Sequence, residues 1–349
     1  MSLLKEVNVI RRRVTKGLTK NIGKTIDYTK YDPIDPLTVK RVLISRPNNR
    51  LGNQLMMTPL VHEVIDTFPN CTIDLFVRGT LSPIIFENYK EVETIYNLPK
   101  KPFKHLLDYF GVWFKLKRKK YDMVINVVQN SSSGRLSTKV ARARYKFFGE
   151  KIELLEKQYS DYNHMAKNAI YNLRYYLNML GIEDKKTAIP VLDIKVNDKE
   201  LAQGKDLLDK LVKNDKKTIG IYTFATGEKC YSEEWWANVY ERLMQRFGTE
   251  YNIIEVLPVE NVSQIAFKAP SYYSKDIREI AGFLQNLDLF ICADSGMMHL
   301  GSAVTSPLIG LFSVTDLNMY TPYGPDKIGI DTRKMSYDQI MDQVQRSLN

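Results

Sequence analysis

The sequence lacks several features that would each assign a class of protein. Its three cysteines (Cys71, Cys230 and Cys292) lie far apart without metal-ligand spacing, and its four histidines are scattered. Reduced thiols and no metal centre are therefore expected. No apolar run approaches the roughly 20 residues of a membrane-spanning helix. The first residues also lack the apolar core of a signal peptide, so a cytoplasmic protein is expected.

Common nucleotide-binding and hydrolase motifs are also missing. The chain contains no GxxxxGK[ST] phosphate-binding loop, no GxGxxG dinucleotide fingerprint and no GxSxG nucleophile elbow. Kinases, nicotinamide-dependent enzymes and serine hydrolases are therefore disfavoured. Because no helix-turn-helix, zinc-finger or RNA-binding motif is present either, nucleic acid is not an expected partner.

Charge is divided unevenly along the 349 residues. Residues 1–190 contain 33 Lys and Arg against 18 Asp and Glu, a net charge of +15. Residues 191–349 contain 17 against 22, a net charge of −5. The basic half is expected to meet an anionic partner, such as a membrane surface or a phosphorylated glycolipid.

Two segments of the basic half combine apolar and cationic residues. In residues 1–38, apolar side chains recur at steps of three and four from Leu3 to Ile22, and most cations lie off that stripe. An interfacial membrane helix has this pattern, and so does a helix that packs on the next domain with a solvated basic face. Residues 104–120 mix aromatic and basic residues and predict a helix with a charged end, with a membrane-touching patch as the alternative.

The remaining chain alternates between predicted strands and helices. Strands are predicted at residues 39–45, 71–77, 121–128, 217–224, 251–257, 287–292 and 308–312, and a single helix is predicted from about residue 54 to 67. Alternation of this kind builds parallel sheets, and the segment ending at Pro190 resembles a domain boundary. We therefore predict an α/β protein with two facing Rossmann-like domains, residues 39–190 and 191–349, after an N-terminal extension of residues 1–38. Ligands of such sheets bind beyond the carboxyl ends of the strands, which predicts a site in the interdomain cleft.

Three polar loops follow predicted strands. The first, residues 46–54, carries Arg46, Arg50, Gly52 and Asn53; a turn with an asparagine cap is the alternative to a site. The second, residues 225–229, contains Thr226-Gly227 and Lys229, a cation that can meet a diphosphate or simply be solvated.

The third loop, Asp294-Ser295-Gly296, leads directly into a helix that carries His299. Backbone N–H groups at such a junction suit an anionic or hydroxyl-rich ligand. Helix capping by Asp294 or Ser295 is an equally good explanation of the acidic and hydroxyl residues, but it leaves His299 unexplained.

Three segments together resemble glycosyltransferase family 9, the ADP-heptose:lipopolysaccharide heptosyltransferases and their relatives. They are RVLISRPNNRLGNQLMMTPLVHEVIDTFPN, EKCYSEEWWANVYERL and DLFICADSGMMHLGSAVTSPLIGLF. The last is similar to the family's Asp-(Ser/Thr)-Gly-x-x-His-Leu motif and is the most specific of the three. The resemblance spans residues 39–325 and does not cover the first 38 residues.

The resemblance implies a GT-B fold and inverting, metal-independent sugar transfer from a nucleotide-diphosphate donor, such as ADP-heptose, without a further cofactor. It places the donor on the C-terminal domain, where Asp294, Ser295, Gly296 and His299 hold the diphosphate and sugar. Thr226, Gly227 and Lys229 then approach the phosphates, and Glu260 is aligned with the ribose. The acceptor, a lipopolysaccharide core or another surface glycan at the inner membrane surface, falls on the side of Arg46, Arg50 and Gly52.

Asn53 departs from the family, whose members usually carry an aspartate there as the base for the acceptor hydroxyl. Asparagine does not titrate and cannot serve as that base. Three explanations remain open. Another carboxylate acts as the base, or Asn53 only orients an acceptor that is activated otherwise. In the third, the chain is an impaired or non-catalytic relative that binds a nucleotide sugar or glycolipid. The LGNQ sequence also echoes fucosyltransferases, which leaves the donor sugar open. A hydrolase or epimerase using the same cleft is a third, weaker possibility.

Overall fold

A computed structural model of the chain describes residues 32–101, 104–183 and 187–349. The amphipathic stripe predicted from Leu3 to Ile22 therefore lies outside the described residues. The chain forms two compact units that are discontinuous in sequence. The first unit contains residues up to Asn49, Pro59–Pro83 and Tyr89–Pro190, and the second contains Arg50–Thr58, Ile84–Asn88 and Val191–Asn349.

Strands and helices alternate along most of the described chain. The strands are β1 Arg41–Ser45, β2 Thr72–Arg78, β3 Val92–Leu98, β4 Lys120–Asn126, β5 Arg142–Phe147, β6 Lys217–Tyr222, β7 Tyr251–Val256, β8 Ser271–Tyr272, β9 Leu289–Ala293, β10 Leu308–Phe312 and β11 Lys327–Asp331. The helices are α1 Leu51–Leu55, α2 Thr58–Thr67, α3 Ser82–Ile85, α4 Leu106–Arg118, α5 Ser132–Val140, α6 Glu153–Gln158, α7 Asn168–Met179, α8 Asp198–Val212, α9 Glu233–Phe247, α10 Ile277–Gln285, α11 Gly296–Ser302, α12 Leu317–Tyr320 and α13 Tyr337–Leu348.

The first unit is built on a five-stranded sheet in the order β3-β2-β1-β4-β5. All its strand pairs are parallel, and β1 at the centre places Val42 beside Ile73 of β2 and Met123 of β4. The central strand is almost wholly buried after its first residue, as expected when a parallel sheet is covered on both faces.

The second unit has a six-stranded parallel sheet in the order β11-β10-β9-β6-β7-β8. Its core gathers strand residues such as Ile221 and Ile291 with Trp236 of α9, whose side chain is fully buried. Both β9 and β6 lie inside this sheet, so the loops that follow them emerge at the same edge.

The helix predicted from residue 54 to 67 is in fact two helices, α1 and α2. Pro59 has no N–H to donate to the carbonyl of Leu55, and the hydroxyl of Thr58 donates to that carbonyl instead, at 2.8 Å. The proline therefore ends one helix and allows the next to begin, and α1 becomes a short separate element.

Four strands were not predicted, and each lies at the edge of a sheet: β3 and β5 in the first unit, β8 and β11 in the second. Edge strands are covered less completely than central ones and therefore carry charged residues, such as Arg142 and Lys146 in β5. Their sequences lack the apolar runs that identified the central strands. Among the described residues, no helix is long and apolar enough to cross a membrane.

Candidate functional site

The junction between β9 and α11 is organised by backbone and hydroxyl hydrogen bonds. The amide of Asp294 donates to the carbonyl of Leu311 in β10, at 3.0 Å. The hydroxyl of Ser295 accepts from the amide of Met297, at 3.2 Å, and so caps the seven-residue helix α11. Ser295 is thus the capping residue of this turn, and the carboxylate of Asp294 has a different partner.

That partner is Lys229, at the end of the 3-10 turn Gly227–Lys229 that follows β6. Nζ of Lys229 lies 2.7 Å from Oδ2 of Asp294. The Asp294 side chain is 5% exposed and that of Lys229 is 38% exposed, so a buried anion holds a cation at the surface. An ammonium has three N–H donors, and the pair leaves some of them to meet a ligand from solvent.

Tyr320 of α12 completes the surroundings of this pair. Its ring centre lies 5.8 Å from Nζ of Lys229 and 6.4 Å from the ring centre of His299. A cation within about 6 Å of an aromatic ring is attracted by its negative face. Tyr320 therefore lies beside both the lysine of one loop and the histidine of the other.

Two glycines let α1 approach α11 closely. A Cβ atom on Gly52 would collide with Cδ2 of the buried His299 ring and lie 3.2 Å from its Cγ. A Cβ on Gly296 would in turn lie 3.3 Å from the Cβ of Leu51. Gly52 therefore serves close packing against His299, and the half-buried Asn53 follows it directly on α1.

The predicted residues are thus distributed over both units. Asp294, Ser295, Gly296, His299 and Lys229 lie together in the second unit. The residues predicted on the acceptor side divide: Arg50, Gly52 and Asn53 belong to the second unit, whereas Arg46 is a buried residue of the first.

Thr226, Gly227 and Glu260 lie in loops at the same edge of the second sheet. Gly227 has φ +67°, a backbone conformation that favours glycine, although the space that a Cβ would occupy there is open. Glu260 is exposed in the loop after β7, and its charge acts on Tyr222 at the end of β6. Burial raises the pKa of Tyr222, and the neighbouring Cys292 and Glu260 raise it further.

Two features that support this edge were not identified from the sequence. Glu255 of β7 is fully buried and accepts hydrogen bonds from the hydroxyls of Thr223 and Ser263, each at 2.6 Å, which ties together the loops after β6 and β7. Burial raises the pKa of this carboxyl. A single acidic residue within an apolar strand was the available signal, because a buried carboxylate needs hydrogen-bond donors.

Lys327 of β11 is the second such feature. Its ammonium is buried and donates to the carbonyls of Gly301, Val304 and Ser306, at 3.2, 2.5 and 3.1 Å. These carbonyls lie at and beyond the C-terminal end of α11, where a cation is favourable. Burial lowers the pKa of Lys327 to about 8. The lysine therefore fixes the end of the helix that carries His299.

A cavity of about 430 Å³ in the first unit does not belong to this site. Its lining includes Glu63 and Arg174, which form a two-point ion pair with both distances 2.7 Å. The guanidinium of Arg174 also donates to the carbonyl of Thr187, at 2.7 Å. These bonds join α2 to α7 and the segment that follows, which is a structural role.

No group of three or more His, Cys, Asp or Glu side chains that could hold a metal ion occurs within residues 32–101, 104–183 and 187–349. The positive charge beside Asp294 is instead the ammonium of Lys229, which reaches the surface. An anionic ligand at this edge of the sheet would meet that ammonium as a point charge.

Comparison with known proteins gives a consistent group of relatives. Residues 273–345 match the model of Glycosyltransferase family 9 (heptosyltransferase). Lipopolysaccharide heptosyltransferase 3 of Escherichia coli (strain K12) is 23% identical over 291 residues, which cover 78% of this chain and 82% of that protein.

Solved structures show the same relationship at the level of the fold. The glycosyl transferase family 9 protein of Veillonella parvula DSM 2008 superposes with a TM-score of 0.69 at 16% identity, covering 91% of this chain and 99% of that one. The E. coli heptosyltransferase WaaC, solved with ADP, gives a TM-score of 0.65 at 17% identity, covering 88% of this chain and 99% of that one. The predicted fold class, GT-B with two parallel-sheet α/β units, is confirmed.

Proposed function

We propose that this chain, a heptosyltransferase-like glycosyltransferase of family 9, moves a heptose-like sugar from a nucleotide-diphosphate donor to a lipopolysaccharide-core or other surface-glycan acceptor. The observation that carries the proposal is the Lys229–Asp294 pair, in which a buried carboxylate holds a partly exposed ammonium at 2.7 Å. It lies where the loops after two strands of one sheet meet, the usual place of a ligand in such folds.

We assign the donor diphosphate to Lys229, with Thr226 and Gly227 beside it in the exposed turn. During transfer the acceptor oxygen forms a bond to the anomeric carbon while the bond to the diphosphate oxygen breaks. The nucleoside diphosphate leaves with the bonding electrons, and its negative charge rises as it does so. A fixed ammonium at that point stabilises the transition state more than the ground state.

Asp294 would keep Lys229 in place, and His299 would line the sugar side. His299 is fixed by its contact with Gly52 and lies near Tyr320, so its ring needs little reorganisation when a donor binds. Ser295 is assigned to the donor as well, in addition to its capping bond. Glu260, exposed in the loop after β7, is the candidate for a ribose hydroxyl.

The acceptor is assigned to the side of Arg46, Arg50 and Gly52. An inverting reaction needs the acceptor hydroxyl to approach opposite the leaving diphosphate and to lose its proton to a base. Asn53 can hold a hydroxyl through its amide but cannot accept that proton. We propose that Asn53 orients the acceptor and that a group other than Asn53 accepts the proton of the acceptor hydroxyl. A membrane-anchored acceptor would place the chain at the cytoplasmic surface of the inner membrane, and no metal or further cofactor is part of this mechanism.

A second candidate function is favoured by the same residue. With asparagine at the position of the family base, a nucleotide-sugar-binding relative without transfer activity would retain Lys229, Asp294 and His299 but turn over no donor. Both functions predict donor binding, and only the first predicts a glycosylated product. The two are therefore separated by turnover and not by affinity.

The first experiment is a thermal-shift screen of nucleotide sugars. A ligand that binds the folded chain raises its melting temperature with concentration. ADP-heptose is the first donor to test, because the E. coli heptosyltransferase WaaC, whose fold this chain shares, was solved with ADP. We expect a donor to raise the melting temperature of the wild type and to have little effect on Lys229→Met. Equal stabilisation of both proteins would contradict the assignment of Lys229.

A further inference from the structure

Helix α4 has two apolar faces, although a helix on a sheet needs only one. Its inner face consists of Tyr109, Val112, Trp113 and Leu116, which pack on the core of the first unit; the Trp113 ring lies 5.0 Å from that of Phe76. The spacing of these four residues, three and four along the chain, already provides a complete packing stripe.

The outer face consists of Leu106, Leu107, Phe110 and Phe114. Leu107 is 89% exposed, Phe110 64% and Phe114 61%. Scattered apolar residues are ordinary on a protein surface, but four large ones on a single face of one helix form a continuous patch. Among the described residues of the first unit, packing does not account for this patch, because it is the inner face that meets the core.

The outer face is surrounded by positive charge. Residues 104–120 contain six Lys or Arg and a single acidic residue, Asp108. Lys119 is engaged by Asp74 and Glu93, both at 2.9 Å. The other five are exposed: Lys104, Lys115, Lys117, Arg118 and Lys120. The guanidinium of Arg118 lies 5.3 Å from the centre of the Phe114 ring, so cation and aromatic side chain share one surface.

We propose that the outer face of α4 docks onto the surface of an anionic lipid bilayer. Leucine and phenylalanine side chains enter the boundary between headgroups and acyl chains, and the flanking lysines and arginine meet the lipid phosphates. A helix that lies in this boundary requires this combination of an apolar face and a cationic margin. A protein partner would have to match an apolar strip and several cations at once, whereas an anionic bilayer presents both features at every point of its surface.

This inference deepens the proposed function and rests on it, since a lipid-anchored acceptor is found at such a surface. The two can nevertheless fail separately, because lipid binding is measured without donor, acceptor or turnover. Sugar transfer to a detergent-dispersed acceptor, in contrast, does not require the outer face.

Sedimentation of the full chain with sucrose-loaded vesicles tests the proposal. The wild type is expected to bind vesicles of phosphatidylcholine with about 30 mol % phosphatidylglycerol and to bind pure phosphatidylcholine weakly, with salt reducing the binding. Phe110→Ser/Phe114→Ser should lower the partition coefficient on anionic vesicles by roughly tenfold or more. Lys115→Gln/Lys117→Gln should lower it less and weaken its dependence on salt.

A matched control removes exposed apolar side chains from the second unit. Met244 and Val314 are 43% and 48% exposed, and Met244→Ser/Val314→Ser should bind like the wild type. Circular dichroism should confirm that all variants are folded. Unchanged vesicle binding by folded Phe110→Ser/Phe114→Ser would overturn the proposal, because binding would then lie elsewhere in the chain. Self-association of the wild type without lipid, lost in this variant, would also overturn it by identifying a second copy as the occupant.

Discussion

Asp294 lies 2.7 Å from Lys229 through a carboxylate that is almost fully buried, while the lysine reaches the surface. The two residues belong to loops that are distant in sequence, and the pairing of the parallel strands β6 and β9 brings these loops together. A buried carboxylate without a cation would be costly, so the pair fixes the position of the ammonium. The proposed donor site depends on that fixed charge.

Removing the charge of Lys229 should slow transfer strongly without unfolding the protein. We expect Lys229→Met to lower kcat/KM by about 100-fold or more, as the loss of a transition-state donor does. Stability should fall by less than the roughly 3 kcal/mol of a fully buried pair, because the lysine is 38% exposed and screened by solvent.

The double variant Lys229→Met/Asp294→Asn separates activity from stability, since it leaves no uncompensated charge. It should fold and remain inactive. Lys210→Met is the matched control, because Lys210 pairs with Asp206 at 2.6 Å on the exposed face of α8. Steady-state kinetics and denaturant unfolding of the four proteins check the prediction. Wild-type kinetics in the double variant would show that the pair has no role in transfer.

Gly52 should not tolerate a side chain. In Gly52→Ala the new methyl group collides with the ring of His299, and we expect the free energy of unfolding to fall by about 1–3 kcal/mol. Donor binding should weaken as well, because α11 must shift. Gly111 in α4 provides the control, because a Cβ there would meet nothing within 4 Å besides its chain neighbours and the adjacent backbone of its own helix. Gly111→Ala should leave stability equal or raise it by up to about 1 kcal/mol.

Urea unfolding of the two alanine variants against the wild type measures the difference. A Gly52→Ala protein as stable as the wild type would show that α1 and α11 separate at little cost. The contact would then have no part in positioning His299.

Asn53→Asp should restore a base if the missing carboxylate limits turnover. We expect kcat to rise by roughly tenfold or more and the pH profile of kcat to gain an ascending limb, since only the ionised carboxylate accepts a proton. Asn53→Ala is the control and should lower the rate through the loss of its amide. An Asn53→Asp protein that is no faster than the wild type at any pH would contradict this expectation, because proton removal at position 53 would then not limit turnover.

Lys327 makes stability depend on pH in alkaline solution. Burial lowers its pKa to about 8 in the folded chain, whereas the unfolded lysine titrates near its ordinary value of about 10.4. Between these values the unfolded chain binds the additional proton, so the free energy of unfolding should rise with pH in that window. The full difference corresponds to about 3 kcal/mol.

The comparison of wild type with Lys327→Met isolates this residue. The free energy of unfolding of the wild type, minus that of Lys327→Met, should increase as the pH rises from about 8 to about 10. Chemical denaturation at several pH values in this range provides the measurement. A difference that stays constant, or that moves against the wild type, would show that the lysine keeps its proton when buried.

The sequence predicted those parts of the fold that depend on local apolar pattern. The central strands and the class of the fold followed from runs such as residues 308–312, where the predicted strand has the observed bounds. The edge strands were not predicted, because a sequence with alternating charges, such as that of β5, resembles a surface segment. The break between α1 and α2 was also missed. A proline is compatible with the first turn of a helix, so Pro59 alone did not show that one helix ends before it.

For the candidate site, the sequence suggested residues but not the contacts between them. Lys229 and Asp294 were both identified, but their pairing is a long-range contact that no local pattern contains. Likewise, Gly52 suggested a close approach without revealing that His299 is its neighbour. The buried charges of β7 and β11 have hydrogen-bond partners in other segments, and their roles depend on those partners.

Sugar transfer from ADP-heptose to a heptose-deficient lipopolysaccharide acceptor tests the central claim most directly. ADP release and glycosylated acceptor should be measured together for the wild type and for Lys229→Met. We predict equal amounts of ADP and product from the wild type, inverted configuration at the new glycosidic bond, and a rate reduced by about 100-fold or more in the variant. Full activity of folded Lys229→Met, or donor consumption by the wild type without glycosylated acceptor, would contradict the proposed function.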